Sequence, residues 1–272
     1  MPGHSPSARR GRPGVGQHEL ANHRLATLLV ADARVSAEDR VVDLGAGSGI
    51  LTAALAAEAA QVLAVEFDAR LARRLARRFS ATPRVTVLHA DALTVPLPAT
   101  PYRVVSNLPF QATSAILRRV LDPSGGLVRA DVVVQAEVAR ARTRSGPRLD
   151  LLAVSWNPWW VFERGRRLPG RLFRPAPSVD AAVLIVTRRE PPLLEPDAWH
   201  PYCDFVRRAF RHRDVGEFLR EGLGTHRGAR QARRLRIADR PPSQVGIREW
   251  IQLFLAARPR PKARTRAARA RR

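Results

Sequence analysis

Val41-Val42-Asp43-Leu44-Gly45-Ala46-Gly47-Ser48-Gly49 is the stretch whose reading decides the fold. A short apolar run ends in an acid and passes into a glycine-rich turn, and the Ala- and Leu-rich residues 50–60 follow with a helical composition. Three more apolar runs each close on a polar residue: 62–66 on Glu66, 85–91 on Asp91 and 102–107 on Asn107. Strand-like runs separated by helix-like or turn-like segments form the βαβ pattern of a parallel sheet. Ligands of open parallel sheets sit at the carboxyl ends of the strands, so the four polar ends are expected to converge on one crevice.

The glycines fit such a crevice. Gly45, Gly47 and Gly49 stand between a strand and a helix, where the absence of Cβ lets the backbone turn tightly and approach a ligand. The helix start behind them offers unpaired N–H groups. The G-x-G-x-G spacing differs from the G-x-G-x-x-G of dinucleotide folds, and a glycine turn alone says little. The acids add to it: Glu66 is placed to accept from ribose hydroxyls and Asp91 from an adenine amino group. Both in sequence after that loop fit a nucleoside that carries no phosphate.

Chemistry is expected at Ser106-Asn107-Leu108-Pro109-Phe110. An amino group on an aromatic base is a poor nucleophile because its lone pair is delocalised into the ring. Two hydrogen-bond acceptors that hold its protons make the nitrogen more tetrahedral and more reactive. Asn107 offers its side-chain oxygen, and the main-chain carbonyl of Leu108 or of Pro109 offers the second, with proline stiffening the turn. Phe110 is expected to stack on an extruded base.

These residues resemble the S-adenosylmethionine-dependent rRNA adenine dimethyltransferase family, and within it the Erm methyltransferases that act on 23S rRNA. The resemblance extends to Gly16-Gln17-His18-Glu19-Leu20, to residues 134–139 and to Phe173-Arg174-Pro175-Ala176-Pro177-Ser178-Val179-Asp180. It implies an α/β fold, a Rossmann-like seven-stranded S-adenosylmethionine (SAM) methyltransferase sheet with a small C-terminal helical domain. It implies SAM as cofactor, with S-adenosylhomocysteine as product. Gln17, His18 and Leu20 would lie near its methionine part, Gly45 and Gly47 beneath it, Glu66 on the ribose, Asp91 and Ala92 on the adenine, and Asn107 between cofactor and target. The catalytic turn would be Asn107, Leu108, Pro109 and Phe110. The implied partner is 23S rRNA, at an unpaired adenine reached before ribosome assembly is complete, and the implied consequence is macrolide, lincosamide and streptogramin B resistance. Where the family usually reads Gly-Gln-Asn-Phe-Leu, this chain has His18 and Glu19. Two other functions share most of these motifs: dimethylation of 16S rRNA by the housekeeping relative, and non-catalytic nucleic-acid binding on the same fold. Glu66, Asp91 and Asn107 argue against the second.

Composition is consistent with an RNA substrate. The 272 residues suffice for one sizeable core and a smaller second unit. The net charge of +23 points to a polyanionic partner, and all but one of the 47 Lys and Arg residues are arginine, which binds phosphate bidentately. With the single cysteine Cys203, a disulfide within the chain is impossible and a metal cluster is not expected. Residues 1–16 lack the apolar core of a signal peptide and no run is long enough to span a bilayer, so a cytoplasmic location is expected, and separately a monomer.

The remaining chain divides by composition. Residues 1–14 read as a disordered basic arm, 15–190 as the catalytic domain, 191–257 as a helical RNA-binding domain and 258–272 as a disordered basic tail. A helix before the first strand is expected to bury Leu25, Leu28 and Leu29. Asp68 caps a helix with Leu71, Leu75 and Phe79 inward and Arg70, Arg73, Arg74, Arg77 and Arg78 outward. Residues 153–162 and 181–187 read as an antiparallel pair closing the sheet, with Trp156, Trp159 and Trp160 packed against it. Between them Arg164, Arg166, Arg167, Arg171 and Arg174 are expected in a substrate-facing loop. Arg140, Arg142, Arg144 and Arg148 form a second candidate RNA contact.

Overall fold

The structure is a computed structural model that describes residues 18–144, 148–223 and 226–257. Gln17, the arm at 1–14 and the tail at 258–272 lie outside the described residues. The chain forms two compact units, one comprising residues up to 144 with 159–199, the other 145–158 with 200 onward.

The first unit is built on a seven-stranded sheet. Strands β2 (Arg40–Leu44), β3 (Gln61–Glu66), β4 (Val85–His89), β5 (Tyr102–Asn107) and β6 (Leu127–Gln135) run parallel in the order β4-β3-β2-β5-β6. Two antiparallel strands complete it, β9 (Ala181–Arg188) against β6 and β7 (Trp160–Leu168) at the edge. Helix α1 (His23–Ala33) precedes the parallel strands, and α2 (Ile50–Glu58), α3 (Ala69–Arg78), α4 (Thr113–Val120) and α5 (Ala136–Thr143) connect or follow them. This is the α/β sheet expected from the sequence. Leu25 and Leu29 of α1 and Leu51 and Leu55 of α2 share one apolar cluster with Val41, Val105 and Val133 of the strands. Leu75 and Phe79 of α3 pack with Ala64 in another. Asp68 does cap α3, accepting from the backbone N–H of Arg70 and Leu71, and the five outward arginines are exposed.

Several expectations are corrected. Leu28 is exposed, and the buried face of α1 continues through Ala26, Val30 and Ala33 instead. Residues 151–156 are a helix, α6 (Leu151–Trp156), not the start of a strand, because Asp150 caps it by accepting from Ala153 N–H. An apolar run of that length is ambiguous by periodicity, and the cap decides it. Arg164, Arg166 and Arg167 therefore lie within β7, and Arg174 lies in the short β8 (Phe173–Arg174). β8 pairs antiparallel with β1 (Glu19–Leu20). Trp156, Trp159 and Trp160 are all buried, as expected of packing residues.

The second unit is helical: α6, then α7 (Trp199–Ala209), α8 (Val215–Glu217), a π-helical turn (Phe218–Leu223), α9 (His226–Arg234) and α10 (Ile247–Ala257). Its centre is aromatic, with Phe205 edge-on to Phe218, Trp250 and Phe254 at 5.1–6.1 Å between ring centroids. Tyr202 is buried beside Phe254, and its hydroxyl donates to the Val154 carbonyl of α6. Leu255 of α10 is exposed. Among the described residues no helix is long and apolar enough to cross a membrane.

Candidate active site

The polar ends read from the sequence end neighbouring parallel strands and so lie on one edge of the sheet. Asp43 pairs with Ala64 across β2 and β3, Glu66 with His89 across β3 and β4, and Asn107 with Val133 across β5 and β6. Asp91 lies just past the end of β4, in a turn that its own Oδ1 stabilises by accepting from Leu93 N–H at 2.8 Å.

The glycine loop is fastened from both sides. Gly45 and Ala46 donate to the Val65 carbonyl, and Leu44 N–H donates to Ser106 Oγ on the neighbouring strand at 2.8 Å. Gly45, Gly47 and Gly49 all have left-handed φ of +56° to +79°, which a side chain would strain. A Cβ at Gly45 would lie 3.3 Å from Pro109 Cδ, so the loop and the Asn-Leu-Pro-Phe turn are in contact. Glu66, almost wholly buried, accepts Gly47 N–H through Oε2 and Asp68 N–H through Oε1, both at 2.8 Å. Each oxygen keeps a second lone pair. Asp43 is buried and accepts from Thr52 Oγ1 at 2.8 Å. Burial pushes its carboxyl up to about 7; the Thr52 hydrogen bond pulls the other way, and the nearby charge of Glu66 adds to the rise.

Asn107 is held in one orientation. Its Nδ2 donates to the His18 carbonyl at 2.6 Å, and since a carbonyl only accepts, the amide nitrogen must face it. Oδ1 is then a buried acceptor with no partner among the described residues. Of the two main-chain carbonyls considered, Pro109 O already accepts from Ala112 N–H and Thr113 Oγ1. Leu108 O has no donor among the described residues. The His18 ring lies 5.3 Å from that of Phe110, and its Nδ1 hydrogen-bonds the Pro175 carbonyl at 2.7 Å. Leu20 is buried in the apolar cluster beneath this edge, and Ala92 sits in the turn after Asp91.

Three features escaped the sequence reading. Phe67, directly after Glu66, is 59 % exposed, and Leu93, two residues after Asp91, is 39 % exposed. Large apolar side chains beside each acid are a signal that adjacency could have given. Arg119 of α4 donates to the carbonyls of Ala92 and Val95 and so clamps the Asp91 turn, a contact between distant segments that no local pattern announces. The arginine candidates separate. Arg140 is exposed and pairs with Glu137, Arg144 and Arg148 are exposed, and Arg142 is buried and so excluded as a phosphate contact. Arg166 and Arg167 are paired with Asp32 and Asp180. A cleft of about 710 Å³ opens at the end of β6, lined by Gln135, Glu137, Arg140, Arg164, Arg167 and Asp180.

A nucleoside cofactor fits these residues: a bare left-handed backbone at Gly45 and Gly47, acids at successive strand tips, and beside them an oriented amide oxygen without a partner among the described residues. Fold and site together define a Rossmann-like methyltransferase. The profile described as ribosomal RNA adenine dimethylase matches residues 8–244, and the chain belongs to that family. The rRNA adenine N-6-methyltransferase of Corynebacterium diphtheriae is 35 % identical over 212 residues, spanning 77 % of this chain and 82 % of that protein. The mycinamicin-resistance protein MyrB of Micromonospora griseorubida is 34 % identical over 267 residues, 95 % of this chain and 85 % of that one. The crystal structure of the 23S rRNA methyltransferase ErmE matches with a TM-score of 0.72 at 30 % identity, covering 88 % of this chain and 99 % of that chain.

Proposed function

We propose that this protein methylates the exocyclic 6-amino group of an unpaired adenine in 23S rRNA, with SAM as donor, and so confers macrolide, lincosamide and streptogramin B resistance. The observation that carries the reading is the oriented Asn107 amide next to the glycine loop, whose buried Oδ1 lacks a donor among the described residues. The similarity to ErmE supports the 23S target over 16S rRNA, and the similarity to MyrB supports the resistance role.

In this reading Gly45, Gly47, Glu66, Asp91 and Ala92, with His18 and Leu20, hold the cofactor, and Phe67 and Leu93 flank its adenine. When bound, SAM supplies a methyl group already activated by a sulfonium and leaves as a neutral thioether. Asn107 Oδ1 and Leu108 O accept the two protons of the target amine, which concentrates its lone pair on nitrogen. Phe110, fixed against His18, offers a ring face to the extruded base. No strong base is needed, because a methylated aminium is acidic enough to lose its proton to water. Most of the rate comes from alignment, which the fastened loop and turn provide. The helical unit and the arginines of the 710 Å³ cleft grip RNA phosphates, with affinity that falls steeply as salt is added. The protein acts as a cytoplasmic monomer on rRNA that is not yet fully assembled.

Primer extension on rRNA from cells with and without the gene tests the reading: a new stop at one 23S adenine is expected. A stop in 16S rRNA, or none, overturns it. In vitro, Asn107→Ala is expected to lose at least about a thousandfold in transfer rate while cofactor affinity stays within about tenfold.

A further inference from the structure

His18, just before β1, and Glu19, its first residue, face two different parts of the site. The His18 carbonyl receives Asn107 Nδ2. Glu19, the partner of Arg174 across the two-stranded sheet, lays its side chain over the glycine loop. A Cβ at Gly47 would lie only 3.0 Å from Glu19 Oε1. Glu66 accepts the N–H of the same glycine, and Asp43 is the penultimate residue of the strand that leads into the loop. Three carboxyl groups therefore gather about one loop in a chain whose net charge is +23.

They are not equivalent. Glu66 is satisfied by two backbone N–H groups and Asp43 by the Thr52 hydroxyl. Glu19 finds neither a hydrogen-bond donor nor a cation among the described residues, although arginines abound elsewhere. A half-buried carboxylate with no cation beside it attracts an added positive charge more strongly than one in open water. Its place between the carbonyl that fixes Asn107 and the bare backbone of Gly47 lies where the methionine end of the cofactor is expected. That end carries a sulfonium and an α-ammonium. We infer that Glu19 is a binding residue for one of these two cationic groups, set between the glycine loop and the amine-binding turn.

The inference rests on the SAM reading above and deepens it. The two cations are separable, since S-adenosylhomocysteine keeps the ammonium and lacks the sulfonium.

Calorimetric titration of the full chain with SAM and with S-adenosylhomocysteine, for wild type and Glu19→Gln, is the test. The expected result is a SAM affinity about tenfold weaker in the variant. If the carboxylate meets the sulfonium, the homocysteine product binds the variant as it binds wild type; if it meets the ammonium, both ligands weaken together. Glu19→Asp, which keeps the charge with a shorter reach, is expected to recover part of the loss. Affinities of Glu19→Gln within twofold of wild type for both ligands would overturn the role of Glu19 and leave the proposed function standing. A wild-type protein that binds neither ligand would overturn both.

Discussion

Asp43→Asn provides a quantitative test of the buried carboxyl beneath the glycine loop. The side chain is 1 % exposed, and its carboxyl titrates near 7 in the folded chain against an ordinary value of 3.8. The unfolded chain thus releases this proton near pH 4 while the folded chain keeps it to near pH 7. Between those limits the folded state holds the extra proton, so stability falls as pH rises, by about 1.4 kcal/mol per pH unit. Across the whole window the loss amounts to roughly 4 kcal/mol, and above pH 7 it is constant. Asparagine does not ionise, and its Oδ1 still accepts from Thr52. Allowing about 1 kcal/mol for the new amide hydrogens, the variant is expected to be more stable than wild type by roughly 3 kcal/mol at pH 8. At pH 4 it should be equal or slightly weaker. Urea unfolding of both proteins at fixed ionic strength, at pH 4.5, 6 and 8, measures this. The remaining charges cancel in the difference between the two curves. A wild-type-to-variant difference that stays constant to about 0.5 kcal/mol over that range would refute a carboxyl shifted by burial.

Four other outcomes are expected. Asn107→Ala separates chemistry from binding, with methyl transfer lost and calorimetric SAM affinity nearly kept; transfer at close to the parent rate removes Asn107 from the chemistry. Glu66→Ala is expected to weaken SAM binding by at least about tenfold, and unchanged affinity by calorimetry would count against a ribose contact. Phe67→Ala, at a 59 % exposed position, should leave the melting temperature unchanged and weaken SAM binding about tenfold. A fall in stability with intact binding would make Phe67 structural instead. Gly49→Ala sets a methyl group against Leu75 Cδ2 at a φ of +79°, so a loss of about 2–4 kcal/mol in urea unfolding is expected. A neutral result would mean that α2 and α3 shift apart freely.

The sequence by itself determined the alternation of strands and helices, the glycine turn and the order of the polar strand ends. Each of these is written in residues close together along the chain. Apolar period, a break at glycine and an acid at a strand end need no distant partner to be read. Asp68 as a cap and the outward arginines of α3 were legible for the same reason. Only the tertiary structure decided the rest, because it depends on which distant groups meet. Glu19 and Arg174 pair across some 150 residues of chain. The His18 carbonyl fixes the Asn107 amide, and Thr113 takes the Pro109 carbonyl. Arg142 looks like its neighbours in sequence yet is buried. An apolar run at 151–156 suits helix or strand alike until Asp150 caps it. Hydrogen-bond partners and burial are properties of the packed chain, and short-range pattern does not specify them.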